Sequence, residues 1–193
     1  MLDFALEEYP QQVALTDEMM YTVRPLREDD EKALCDFMLA LQPEERLFIK
    51  GPCSSSDIFM DWCRSVDYDC NLPLLAIEGE KIVALGILHQ RQGGWKRHIG
   101  SLNMMVKSEY SGHGLMHLLI RSLVGLGQHA GLTRLESELM GAPAELVDAF
   151  RDAGFDELCR IEGYVLDMKG GAHDSVLMGL NLIPDEEFTG VGD

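Results

Sequence analysis

The chain of 193 residues predicts an α+β fold: one domain with a mixed, mostly antiparallel sheet of about seven strands and about four helices. Three observations predict it. β-Branched or apolar runs and amphipathic segments succeed one another as strand, helix, helix, three strands, helix, strand, helix, two strands. Hydrophobic residues make up 46% and charged residues 25% of the chain, so a sizeable core can be buried. Glycine and proline occur as isolated punctuation, with no repeat or linker to divide the chain.

The elements follow in order. Residues 12–24, QVALTDEMMYTVR, read as two short β-branched runs about an Asp17-Glu18 turn. Asp29 or Asp30 can cap a helix in which Ala33, Leu34, Phe37, Met38 and Leu41 recur at helical spacing before Pro43. A second helix starts at Ser56-Asp57, with Ile58, Phe59, Trp62, Cys63 and Val66 as its apolar stripe. Three strands follow, over 74–78, 81–90 and 98–106, as an antiparallel meander. A glycine-punctuated loop, YSGHG, opens a helix over 115–130, which Gly125 and Gly127 weaken by up to ~1 kcal/mol each. Thr133–Leu139 is a strand, and a short helix follows with Pro143 in its first turn and Gly154 past its end. Two final strands flank Lys169-Gly170-Gly171. Residues 1–19 are read as an N-terminal extension or hairpin strand, 20–183 as the domain and 184–193 as a frayed tail.

Charge and composition narrow the function. Asp and Glu number 33 against 16 Lys and Arg, a net charge of −17, so phosphate backbones are repelled and nucleic acid is not an expected partner. No run approaches the ~20 apolar residues of a membrane helix, and the first 20 residues carry acids where a signal peptide would carry bases. A cytoplasmic protein with no membrane partner is expected. The five cysteines form no C-x-x-C pair and read as reduced, mostly buried thiols. His113 and His117 are four apart but have no acid beside them in sequence, so no metal is expected.

Residues 106–116 carry most of the chemistry. An apolar strand end, Val106, meets a loop with Gly112 and Gly114 that runs straight into a helix. The first N–H groups of a helix lack partners, its dipole is positive there, and glycine lets an anion approach the backbone. A tight strand-to-helix turn is the structural alternative.

At these residues the chain resembles the GNAT superfamily of acetyl-CoA-dependent N-acyltransferases. The family pattern is an apolar strand ending in Val, a spacer, then R/Q-x-x-G-x-G/A. In VKSEYSGHGLM, Val106 and Gly114 match, Tyr110 stands where an aromatic is common, Ser111 replaces R/Q and Met116 replaces the last G/A. YTVRPLREDDEKALCDFMLAL, LLAIEGEKIVALG and FRDAGF are similar to the family's opening strand and helix, central hairpin and late helix-to-strand step, so the likeness spans Tyr21 to Leu182. GLTRLESELM is similar to a strand in the bacterial protein-lysine acetyltransferase branch.

The resemblance implies a GNAT-like domain in which acetyl-CoA lies between two splayed parallel strands, the first ending at Val106 and the second spanning Thr133–Leu139. Backbone groups of Met104, Met105 and Val106 would meet the pantetheine arm. Ser111, Gly112, His113, Gly114, Leu115 and Met116, with His117 at the edge, would face the pyrophosphate. Glu138 is the implied general base, with Glu136 second by period-two alternation. A family tyrosine and asparagine are matched here by Phe150 and Pro143, so CoA thiolate would leave unaided or take a proton from Tyr110, Tyr164 or water. The implied activity is acetyl transfer from acetyl-CoA to a primary amine, on a protein lysine or a small polyamine-like acceptor. A non-catalytic acyl-CoA-binding or sensing domain is the alternative. His173-Asp174 reads as a hairpin-end pair, Trp95 as a loop side chain covering the hairpin, and an exposed edge strand near the C-terminus could pair with a second copy in a homodimer.

Overall fold

The computed structural model describes residues 2–15, 19–42, 62–64, 66–141, 144–167 and 169–183. Its strands are β1 (Gln11–Ala14), β2 (Met20–Pro25), β3 (Asn71–Glu78), β4 (Lys81–His89), β5 (Ile99–Val106), β6 (Arg134–Met140), β7 (Asp156–Leu166) and β8 (Ala172–Asn181). The helices are α1 (Leu2–Glu7), α2 (Glu31–Ala40), α3 (Leu115–His129) and α4 (Ala144–Asp152). The strands form one sheet in the order β1-β2-β3-β4-β5-β6-β8-β7. Neighbours are antiparallel except β5 and β6. The eighth strand arises because the opening run forms both β1 and β2, while the turn between them lies outside the described residues. No helix among the described residues is long and apolar enough to cross a membrane.

Period-two alternation gives the sheet two apolar faces. On one, Leu74 and Ala76 of β3, Leu102 and Met104 of β5, and Leu135 and Leu139 of β6 pack with Leu119, Ile120 and Leu123 of α3 and Phe150 of α4. On the other, Leu75, Leu85, Ile87 and Met105 pack with Leu34, Phe37 and Met38 of α2. Leu2 and Ala5 of α1 join the α3 core. That helix has only six residues, too few to reveal a period in the sequence.

Asp30 is the residue preceding α2, as its sequence position suggests, but its carboxylate makes no cap bond within the helix. It turns back to accept two 2.6 Å bonds from Arg24 and a 2.8 Å bond from the backbone N–H of Arg27. The side chains of Arg24 and Asp30 are 16% and 7% exposed, so the pair ties β2 to the start of α2 from inside the protein. The second predicted helix lies outside the described residues except for the helical Trp62–Arg64. Pro143 also lies outside them, and Gly154, at φ +93°, follows the last turn of α4.

Gly127 lets α3 approach β6: a Cβ there would sit 3.2 Å from Leu135 Cδ2. Gly100 does the same within the parallel pair, where an added Cβ would meet Leu132, Leu135 and Leu88 methyls at 2.6–2.8 Å. Of the four described cysteines, none in a disulfide, Cys63 is buried, Cys35 and Cys70 are half-buried and Cys159 is exposed. Mostly buried thiols therefore hold only for Cys63, whose burial, with Asp30 and Glu31 nearby, pushes its thiol up to about 11. Trp95 is 86% exposed and so is not packed down over the hairpin. His173 does close the last hairpin, its Nε2 lying 2.9 Å from Asp167 Oδ2 while Asp174 accepts the Gly163 N–H.

Two substitutions report on these contacts. Arg24→Met leaves a buried carboxylate without its charge partner, so urea denaturation at pH 7 should show a loss of about 3 kcal/mol. Burial alone would raise the Asp30 pKa, but the Arg24 and Arg27 hydrogen bonds outweigh it and hold it below 3.8. A depressed folded-state value gives stability that is present above the unfolded pKa and is lost as pH falls through the folded one. The wild type should therefore lose its advantage over Arg24→Met below about pH 4. Gly100→Ala should cost about 1–3 kcal/mol in the same assay, because three packed leucines must shift at once.

Candidate active site

The site begins where β5 and β6 separate. They pair only through Ile99↔Arg134, Gly100↔Leu135 and Ser101↔Glu136, although β5 continues to Val106 and β6 to Met140. Each is held on its far side, β5 by β4 and β6 by β8. At the apex the buried Ser137 hydroxyl donates to the Leu102 carbonyl at 2.9 Å, replacing the ladder bond the parting strands give up. Beyond it, the edges of residues 103–106 and 137–140 that face each other are not joined by strand pairing. Met104 and Met105 are nearly buried and Val106 is half-buried.

Below the opening, the chain leaves β5 through a 3-10 turn at Ser108–Tyr110 and enters α3 through Ser111–Gly114. Gly112 and Gly114 have φ of +79° and +87°, which side-chain-bearing residues resist. Among the described residues, a Cβ on Gly112 would meet nothing within 4 Å, and one on Gly114 only Leu15 Cδ2 at 3.9 Å. Gly114 caps α3 without a side chain. The loop therefore offers open space in front of a helix N-terminus, where backbone donors and the helix dipole favour an anion.

The predicted loop residues occupy distinct surroundings. The Ser111 hydroxyl donates to Glu145 Oε2 at 2.8 Å, so a carboxylate from α4 stands beside the loop. His113 packs edge-on to Tyr110, with ring centroids 6.0 Å apart, and His117 Nε2 lies 3.1 Å from Asp152 Oδ2. The two histidines thus turn to different neighbours. Leu115 is fully buried, and Met116 is half-buried against the α3 core, so its side chain is drawn toward the protein interior.

Glu136 and Glu138 share the β6 face opposite Leu135, Ser137 and Leu139. Glu136 is held by Arg134 Nε at 2.9 Å. Glu138 is exposed and accepts the Ser175 hydroxyl at 3.0 Å.

Two of the three expected proton sources for a thiolate differ from expectation. The Tyr110 hydroxyl donates to Glu78 Oε2 at 2.6 Å, and that bond, with partial burial, pushes its pKa up to about 12. This phenol anchors the loop to the end of β3 and is a poor acid near neutral pH. Tyr164 is 63% exposed on the outer strand β7. Phe150 is fully buried, edge-on to Phe155 at 5.0 Å.

Sequence reasoning missed a polar chain on the face that carries Glu138. Asn71 Oδ1 lies 2.6 Å from His89 Nδ1, and His89 Nε2 lies 2.9 Å from Asn103 Nδ2, linking β3, β4 and β5. The available signal was one asparagine interrupting the apolar run LNMMV, at a position alternation places off the α3 core.

Comparisons with known proteins agree with this architecture. The chain superposes on the GNAT domain of S. lividans PAT with a TM-score of 0.71 at 19% identity, covering 89% of this chain and 96% of that one. A GNAT-family acetyltransferase from Streptococcus pneumoniae gives 0.68 at 22% identity, with 84% and 99% covered. A ribosomal-protein-alanine N-acetyltransferase from Brucella melitensis gives 0.68 at 18%, with 83% and 99% covered. No curated protein matches the sequence. A profile described as the acetyltransferase (GNAT) family matches residues 32–155, well over half of the chain, and spans the parting strands, the glycine loop and α4 together: the chain belongs to the acetyltransferase (GNAT) family.

Proposed function

We propose that the protein is a cytoplasmic N-acetyltransferase that moves acetyl from acetyl-CoA to a primary amine, on a protein lysine or a small polyamine-like acceptor, with Glu138 as general base. The observation that carries this reading is the parting of β5 and β6 directly above the open, glycine-lined start of α3. The pantetheine amides would pair with backbone groups of Met104, Met105 and Val106. The pyrophosphate would rest on N–H groups between Ser111 and Met116, with His117 at its edge. The residues fit such a group because the space before Gly112 and Gly114 is open and Met116 turns inward.

Acetyl-CoA supplies an activated thioester, and this chain's residues orient it and handle protons. An alkylamine with a pKa near 10.4 costs about 4–5 kcal/mol to deprotonate at pH 7, so a carboxylate close to the nitrogen accelerates attack. The amine nitrogen bonds to the thioester carbon, its proton passes to Glu138, the C–S bond breaks, and the CoA thiolate takes a proton from water. A backbone N–H near Met105 would hold the developing oxyanion, an interaction worth ~3 kcal/mol. Water is the proton source this reading favours, since Phe150 has no acidic proton and Tyr110 is committed to Glu78. The same two residues support the second reading, a non-catalytic acyl-CoA sensor. In either reading a second copy could pair along β7, whose Leu158, Ile161 and Tyr164 are exposed.

Calorimetry should show micromolar acetyl-CoA binding to the wild type and none to Gly114→Glu, which places a carboxylate at the helix start. Glu145→Gln should tighten acetyl-CoA binding about two- to fivefold at low salt, and 0.5 M NaCl should erase the difference. Glu138→Gln should keep acetyl-CoA affinity while lowering kcat about 10²-fold or more in a thiol-release assay with an amine panel. Tight binding with no turnover of any amine would select the sensor.

A further inference from the structure

The parallel register fixes which residues face each other across the parting strands. Ser101 is opposite Glu136 in the last pair. Continuing that offset by two residues, on the same face, sets Asn103 of β5 against Glu138 of β6. This is the first same-face pair beyond the point of separation. Asn103 lies on the face away from α3, because Leu102 and Met104 belong to the α3 core and Met105 does not. Glu138 lies on that face as well, by alternation with Leu135, Ser137 and Leu139.

Asn103 is oriented from behind. His89 is opposite Asn71 on β3 and opposite Ser101 on β5, so all these side chains share a face. Asn71 Oδ1 can only accept, so His89 Nδ1 carries the proton and donates to it at 2.6 Å. Nε2 of the neutral ring is then an acceptor and takes the 2.9 Å bond from Asn103 Nδ2. The carboxamide nitrogen being engaged by His89, the Asn103 oxygen, Oδ1, has no protein donor among the described residues. A carboxamide whose nitrogen is pinned exposes an oxygen of fixed direction, suited to an N–H donor.

We propose that Asn103, held by the His89–Asn71 relay, binds the acceptor: its Oδ1 receives one N–H of a primary amine that enters between Asn103 and Glu138. The inference rests on the acetyltransferase reading above and adds the acceptor's anchor to it. A neutral amine has two N–H groups and one lone pair. One N–H goes to Asn103 and the other to Glu138, which leaves the lone pair for the thioester carbon. A secondary amine loses one of these donors, so primary amines are favoured. His89 acts as a positioning residue through Asn103 and touches no substrate.

The test uses the full chain and three variants: Asn103→Leu, which keeps the shape and removes the acceptor oxygen; His89→Phe, which removes both relay bonds; and His89→Gln, whose amide can both donate and accept. Acetyl-CoA affinity is read by calorimetry, turnover by thiol release with butylamine, spermidine and Nα-acetyl-lysine, and amine contact by the Asn103 side-chain amide resonances of the CoA complex titrated with butylamine. Expected are acetyl-CoA affinities within about twofold of wild type throughout, amine KM raised about tenfold or more in Asn103→Leu and His89→Phe, and recovery to within about threefold in His89→Gln. An unchanged amine KM in Asn103→Leu overturns the proposal, as does equal impairment in both His89 variants. So does the absence of both turnover and a butylamine-induced shift at Asn103. Failure of the wild type to bind acetyl-CoA would instead remove the acetyltransferase reading itself.

Discussion

A parallel strand pair that is joined for three residues and then forced apart sets the terms for the rest of this molecule. Past Ser101 and Glu136 each strand stays paired only on its other side, β5 through six register pairs with β4 and β6 through seven with β8. Gly100 and Leu135 allow close contact where the strands are joined, and the Ser137 hydroxyl satisfies the Leu102 carbonyl where they part. Past that point the backbone holds hydrogen-bonding capacity that the sheet does not use. A ligand rich in amides can use it, and α3 begins directly beneath, so polar backbone and helix dipole converge on one opening.

The charge of the chain shapes how that opening can work. With a net charge of −17, the protein as a whole repels an anionic cosubstrate, so attraction must be local and short-ranged. Several cations are engaged elsewhere: Arg24 with Asp30, Arg134 with Glu136, Arg151 with Asp148 and Glu157, Arg160 with Glu157. At the loop itself the charged groups in contact are carboxylates, Glu145 on Ser111 and Glu78 on Tyr110. Recognition by backbone N–H groups, which carry partial positive charge irrespective of pH, suits such a protein better than recognition by lysine or arginine.

The sheet was legible in the sequence because its strands alternate cleanly or run apolar between Gly and Pro turns, and the helix after YSGHG keeps its period for fifteen residues. The glycine loop was legible as a turn into a helix because Gly112 and Gly114, both at positive φ, stand directly before a helical period. What escaped the sequence depends on distance along the chain. The Ser111 to Glu145 bond joins residues 34 apart, and Tyr110 to Glu78 joins residues 32 apart. Nothing local in YSGHG indicates that its serine and tyrosine are each tied to a distant carboxylate. The Asn71–His89–Asn103 chain escaped for the same reason: it exists only once three strands are in register. Helix α1 escaped for another, since six residues carry no period and their burial against α3 is a tertiary fact.

The position of β8 gives the molecule a particular order of completion. This strand is the last of the eight in sequence, yet it lies between β6 and β7, and its Val176 and Met178 are fully buried in the α3 core. During synthesis from the N-terminus, β6 leaves the ribosome with one flank unpaired, and β7 emerges with no neighbour in the sheet to join. Both wait for β8, which supplies the second flank of one and, among the described residues, the only partner of the other. The apolar seam along β6 thus remains open until about residue 181 has been released, and a chain cut short within that strand carries an exposed core and a free edge, the two features that lead a nascent protein to aggregation instead of folding.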